Sequence, residues 1–110
     1  MPVANYLFIQ SQDPFTETRT ATQFGLIRQL REAGNTVAVL LVQNGVTATR
    51  SGAKAAAFDQ LLDGGIDVMA DSFSLQQREI ATAQLKPGVR AGAIEVVADA
   101  LLAGHKVIWN

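Results

Sequence analysis

Four apolar runs set the limits on what this chain can fold into: "VANYLFIQS" (3–11), "NTVAVLLVQNG" (35–45), "IDVMA" (66–70) and "HKVIWN" (105–110). Their centres place apolar residues next to one another instead of alternating them with polar ones. A strand with one wet face alternates, whereas a strand buried on both faces does not. Between the runs lie stretches with helical spacing, so strands and helices take turns along the chain. That order predicts a single α/β domain over residues 1–110, with a doubly wound, parallel or mostly parallel sheet and helices on both faces.

The first helix is expected from Asp13, an N-cap placed before Pro14 at the first helical position. Ala21, Phe24, Ile27, Leu30 and Ala33 would form its inner stripe, and Gly34 would close it. "SGAKAAAFDQLLDGG" (51–65) reads as a second helix with Phe58, Leu61 and Leu62 inward. "SLQQREI" (74–80) reads as a brief third, in which Ser74 and Gln77 have capping-box spacing. In "AIEVVADALLAG" (93–104) the stripe is Ala93, Val96, Val97, Ala100 and Leu101. The stretch "ATAQLKPGVRAG" (81–92) is the least regular, with a turn at Pro87–Gly88 and a short edge strand expected at Ala83–Leu85. No repeat, low-complexity segment or linker interrupts the chain.

Composition removes several function classes. Of 110 residues, 48% are apolar and 17% charged, which argues against disorder and leaves apolar surface that self-association would cover. The net charge is −1 and the basic residues are scattered, so nucleic acid is not an expected partner. No apolar run approaches the ~20 residues that span a bilayer. "MPVANYLFIQSQ" lacks the basic start of a signal peptide, so no membrane association and a cytoplasmic location are expected. The chain has no cysteine, which excludes disulfides, thiolate catalysis, persulfide carriage and Cys-ligated metal centres. Its one histidine, His105, reads as a surface residue, so neither a metal nor a cofactor is expected.

Ligands of doubly wound sheets gather beyond the carboxyl ends of the strands. Those ends supply Gln10 and Ser11, Gln43 and Asn44, Asp71 and Ser72 as candidate binding residues, with Trp109 and Asn110 beside them. Asp71, between a strand and a helix, is either a helix cap or an anchor for a ligand. As an anchor it favours a cationic or hydrogen-bond-donating ligand, because a carboxylate competes with anions for a helix N-terminus. A catalytic carboxylate needs a partner that tunes its proton affinity, and the sequence offers none: Asp13 ends another strand and His105 lies at the far end of the last. A phosphoacceptor site of the response-regulator kind would need an acidic pair after the first strand and a Lys at the end of the last. "QSQD" and "HKVIWN" supply neither. Ser72 has no G-x-S-x-G setting, "QNG" is an ordinary turn, and "KPGVRAG" is not a phosphate loop. Trp109 is expected to pack in the core or at a subunit contact.

Three segments together resemble a known family. "YLFIQSQDPFTETRTATQFGLIRQLREAGNTVAVLLVQNGV" (6–46) has a strand, a long helix, an "aG-x-x-V" step and a "GV" end. "VMADSFSLQQREI" (68–80) is similar to "V-x-x-C-x-x-S-L-x-x-R-G-I", and "GAIEVVADALLAGHKVIWN" (92–110) to a closing helix and strand. The chain resembles the DsrE/DsrF-like (sulfur-relay, TusD-like) family of small α/β proteins. The resemblance implies sulfur transfer by a persulfide-carrying cysteine, and places that cysteine at Asp71. It also places the family's Gly, after the Arg matched by Arg78, at Glu79. With no thiol, the expected role is that of a non-catalytic member. It would act as a homo-oligomer, trimer or hexamer as in the family, or in a hetero-oligomer with DsrE-family subunits. The alternative is a small-molecule binder or an enzyme of unrecognised chemistry that uses Asp71 and the polar strand ends.

Overall fold

The computed structural model of the chain describes residues 4–15 and 19–110. Its elements run β1 (Asn5–Gln10), α1 (Arg19–Glu32), β2 (Thr36–Leu41), a 3-10 segment (Gln43–Thr49), α2 (Ala56–Leu62), β3 (Asp67–Asp71), α3 (Ser72–Gln77), a second 3-10 turn (Thr82–Gln84), β4 (Val89–Gly92), α4 (Glu95–Leu102) and β5 (Lys106–Trp109). The five strands form one sheet in the order β4-β3-β2-β1-β5, and every pairing is parallel. The expected α/β fold is therefore present.

Continuous apolar strands are needed because both faces of the sheet are covered. Phe8, Val39, Leu41, Val68 and Ala70 point to one face, where Phe24 and Ile27 of α1 and Phe58 and Leu61 of α2 pack against them. Their neighbours Leu7, Ile9, Leu40 and Met69 point to the other face, against Ala100, Val96 and Val97 of α4. Handedness explains the split. The chain steps outward from β1 to β4, then returns across the whole sheet to β5 beside β1. A right-handed crossover in the reverse direction must lie on the opposite face.

Three local expectations are corrected. Asp13 does not open α1: its Oδ1 accepts from the Phe15 N–H at 2.9 Å, and Pro14 and Phe15 form a turn. Residues 16–18, part of the expected helix, lie outside the described residues, as does Val3 of the expected first strand. The edge strand expected at Ala83–Leu85 is mostly a 3-10 turn, and Leu85 makes a single antiparallel bridge to Arg50. The edge strand of this region is β4, four residues long and containing Arg and Gly, so it carries little strand signal. Finally, the inner stripes are narrower than the periodicity suggests, for Ala21, Ala33, Ala93 and Leu101 are all exposed. Gly34 closes α1 as expected: at φ 96°, it directs its own N–H to Arg31 O and that of Asn35 to Leu30 O.

Gly45 marks the tightest backbone approach near the carboxyl edge. A Cβ there would collide with the Gln10 carbonyl oxygen, a backbone atom that cannot swing away. Gly25, in α1, has nothing within 4 Å of the same position. Gly45→Ala is expected to lower stability by about 1–3 kcal/mol. Gly25→Ala should raise it by about 0.5–1 kcal/mol through helix propensity. Urea denaturation of both variants checks the pair, with opposite shifts in midpoint.

Candidate functional site

Beyond the carboxyl ends of β2, β3 and β5 lies an open cleft of about 370 Å³, lined by Val42, Gln43, Asp71, Ser74, Gln77 and, on its apolar sides, Phe73, Ile94 and Trp109. Asp71 sits where β3 gives way to α3. Its Oδ2 accepts from the Ser74 N–H at 3.0 Å, which makes it the N-cap of α3. The capping role weighed for Asp71 is thus present, and it displaces the capping box expected from Ser74 to Gln77.

Ser74 extends the cap into a relay. Its hydroxyl donates to Asp71 Oδ2 at 2.7 Å and accepts from the Gln43 N–H at 2.8 Å. Gln43 follows β2 with φ 50°, in the left-handed region that non-glycine residues rarely enter. The relay holds the ends of β2 and β3 together and satisfies an amide in that strained turn. Asp71 is only 8% exposed. Both of its described hydrogen bonds go to Oδ2, and no described residue donates to Oδ1.

Of the six strand-end residues expected to share a site, the cleft brings together Gln43 and Asp71. Ser11 instead fastens the end of β5, donating N–H and Oγ to the Asn110 carbonyl at 2.9 Å each. Asn44 Oδ1 accepts from Arg78 Nη2 at 2.8 Å, and Arg78 Nη1 donates to Ser74 O at 3.2 Å. Ser72 Oγ donates to Gly92 O at 2.9 Å and pins β4 to the start of α3. Gln10 is 2% exposed, on the sheet face of Phe8, and neither end of its amide has a hydrogen-bond partner among the described residues. Trp109, expected in the core or at a subunit contact, is 61% exposed on this chain and forms a wall of the cleft. Residue spacing could not have found Phe73, Gln77 and Ile94: two lie within or beside a helix of six residues, and Ile94 follows the strand that the sequence disguised.

A second hollow of about 320 Å³ lies on the α4 face, floored by Leu7, Ala38, Met69 and Ala100 and rimmed by Arg90 and His105. Arg90 is paired with Asp67 through Nε at 3.0 Å and Nη2 at 2.8 Å. Hydrogen bonding to Asp67 raises the guanidinium pKa above its ordinary value, opposed in part by burial. No strand-end residue reaches this hollow. Among the described residues no cluster of three His, Asp or Glu could hold a metal ion, and no helix is long and apolar enough to cross a membrane.

A sequence model of one family, described as the DsrE/DsrF-like family, matches residues 4–109, nearly the whole chain. The chain belongs to the DsrE/DsrF-like family. Its fold is also that of two solved structures. One is the protein of unknown function MTH1491 from Methanobacterium thermoautotrophicum, 18% identical with TM-score 0.85, over 97% of this chain and 99% of that one. The other is the ychN protein from E. coli, 20% identical with TM-score 0.86, over 98% of this chain and all (100%) of that one. At such identities the likeness carries the fold alone. No curated protein matches the chain.

The DsrE-like pattern explains one oddity of the site. Glu79, at the position the resemblance gives to Gly, has φ 55°. It occupies the left-handed position of a Schellman motif: its N–H reaches Gln76 O, the Ile80 N–H reaches Leu75 O, and Ile80 and Leu75 both lie in the core. Glycine suits that backbone without a Cβ penalty. Glu79→Gly is therefore expected to stabilise this DsrE-like chain by about 1 kcal/mol. Ser74→Ala should cost about 1–3 kcal/mol, since it strands the Gln43 amide. Gln10→Met, which replaces an unpaired buried amide with an apolar chain of similar length, should be stabilising. Thermal and urea unfolding of the three variants read these signs directly.

Proposed function

We propose that this DsrE-like chain works through assembly with further copies of itself, as a cytoplasmic, non-catalytic subunit that carries no persulfide. Sulfane sulfur is held by a thiolate through an S–S bond, and the chain has no cysteine. The position that the family resemblance assigns to that thiol is taken by Asp71, which spends one oxygen on capping α3.

The observation that carries the reading is α4. Val96, Val97 and Ala100 face the sheet. Ile94, Ala98, Leu101 and Leu102 recur at i, i+4, i+7 and i+8 and face solvent, with Leu101 60% and Leu102 88% exposed. Only Glu95 and Asp99 interrupt the apolar surface of this helix. A helix that is apolar nearly all round belongs in an interior, and a lone subunit supplies only half of one. Identical chains meeting over one patch give closed rings or dimers, and this supports a homo-oligomer.

Sedimentation velocity of the native protein is expected to give an integral multiple of the 11.7 kDa chain, with a trimer or hexamer in view. Replacing Leu101 and Leu102 together by Lys should shift it to the single-chain mass. A cation suits the last turn of a helix, so the subunit itself should lose little stability. A native protein that sediments as one chain at millimolar concentration would overturn the reading. A stable complex with a different DsrE-family subunit, in place of self-association, would replace the homo-oligomer with a hetero-oligomer.

A further inference from the structure

The assembly surface leaves one feature unused, the carboxylate inside the cleft. Asp71 is more than nine-tenths buried, yet none of the residues lining the cleft is a Lys, Arg or His. The Arg78 guanidinium, bonded to Ser74 O and Asn44 Oδ1, lies outside the lining. Both described donors to the carboxylate use Oδ2, and no described residue donates to Oδ1. A carboxylate oxygen that accepts from no described residue, in a cleft lined by no basic side chain, is a ready acceptor for the N–H groups of a cation.

The rest of the lining narrows the cation. Phe73 and Trp109 are 64% and 61% exposed, and with Val42 and Ile94 they give apolar sides. Aromatic faces attract cations through their quadrupoles and suit organic ones best. Gln43 and Gln77 add side-chain amides at the rim, able to accept from the remaining N–H groups of an ammonium. A divalent metal would need several oxygen ligands, and the cleft has a single carboxylate. A carboxylate or phosphate ligand would meet Asp71 with no base to balance it.

We propose that this cleft binds a small organic cation, a primary ammonium on an apolar body, with Asp71 Oδ1 accepting from the ammonium and Phe73 and Trp109 flanking it. The proposal stands apart from the assembly reading, because it depends on Asp71 and the cleft and not on Leu101 or Leu102.

Trp109 is the sole tryptophan of the chain, so its emission reports on the cleft alone. The test titrates the native protein with cyclohexylmethylammonium, cyclohexylmethanol and cyclohexanecarboxylate, which share one apolar body and are transparent at tryptophan wavelengths. The expected result is a saturable change in Trp109 emission with the ammonium, weaker binding of the alcohol by about tenfold or more, and none of the carboxylate. Asp71→Asn retains a side chain that caps helices well and should weaken the ammonium by about tenfold to a hundredfold. Gln77→Lys, at an exposed position, places a fixed cation on the rim and should abolish binding even if Asp71→Asn fails to fold. Equal binding of ammonium and carboxylate, affinity unchanged in Gln77→Lys, or no saturable signal would each overturn the site. Repeating the titration on the dissociated Leu101→Lys, Leu102→Lys protein separates the two proposals. Binding there without self-association in the native protein sinks assembly alone, and self-association without binding in either protein sinks the cleft alone.

Discussion

Asp71 Oδ2 holds three segments in place at once. It receives the Ser74 amide and the Ser74 hydroxyl, and that hydroxyl receives the Gln43 amide. The end of β2, the end of β3 and the start of α3 are therefore one hydrogen-bonded unit. Without it, the left-handed turn at Gln43 would lose the partner of its amide, and the floor of the cleft would lose its shape. The two oxygens of the carboxylate are consequently unequal. One is structural, and the other accepts from no described residue. Geometry of this kind lets a side chain serve the fold and still offer chemistry to a ligand.

The same unit bears on Asp71 itself, at the position where the resemblance expects a cysteine. An aspartate at a strand-to-helix junction supplies the helix N-cap through its carboxylate, a role in which Asp is among the preferred residues. The backbone path from β3 into α3 is thus retained by a residue that cannot carry sulfur. Glu79, where the resemblance expects glycine, shows the opposite case, a side chain at a backbone angle that disfavours one. One departure fits its setting and the other is tolerated against it.

Much of this was legible in the residues. Uninterrupted apolar runs at Leu7–Ile9 and Val37–Val42 announced a parallel sheet covered on two faces, because no half-wet strand can be written that way. Gly34 closed α1 where a left-handed residue was needed. What escaped notice depended on tertiary pairing. "VRAG" becomes β4 only because it lies beside Val68–Asp71, and nothing in its composition says so. The start of α1 was hidden for another reason: Asp13 had a competing use, bonding the Phe15 amide and the Thr47 hydroxyl in place of a helix. The cleft followed the same rule. Asp71, Gln43 and Trp109 were found from strand ends, whereas Phe73, Gln77 and Ile94 reach the cleft only because the folded sheet brings α3 and the start of α4 beside them.

The pairing of β1 with β5 has a consequence for how the chain acquires its structure. Tyr6 aligns with Lys106, and Ser11 is fastened to Asn110 across 99 residues of sequence. During synthesis, β1 can pair with β2 early, but its other edge stays open until β5 has emerged from the ribosome. A strand edge left unpaired for that long is a template for pairing with another nascent chain. Closing so long a loop is also slow, since the entropy is lost before the contacts form. Chains made side by side on one message would thus be exposed to strand exchange, with β5 of one adding to β1 of its neighbour, until each completes its own sheet.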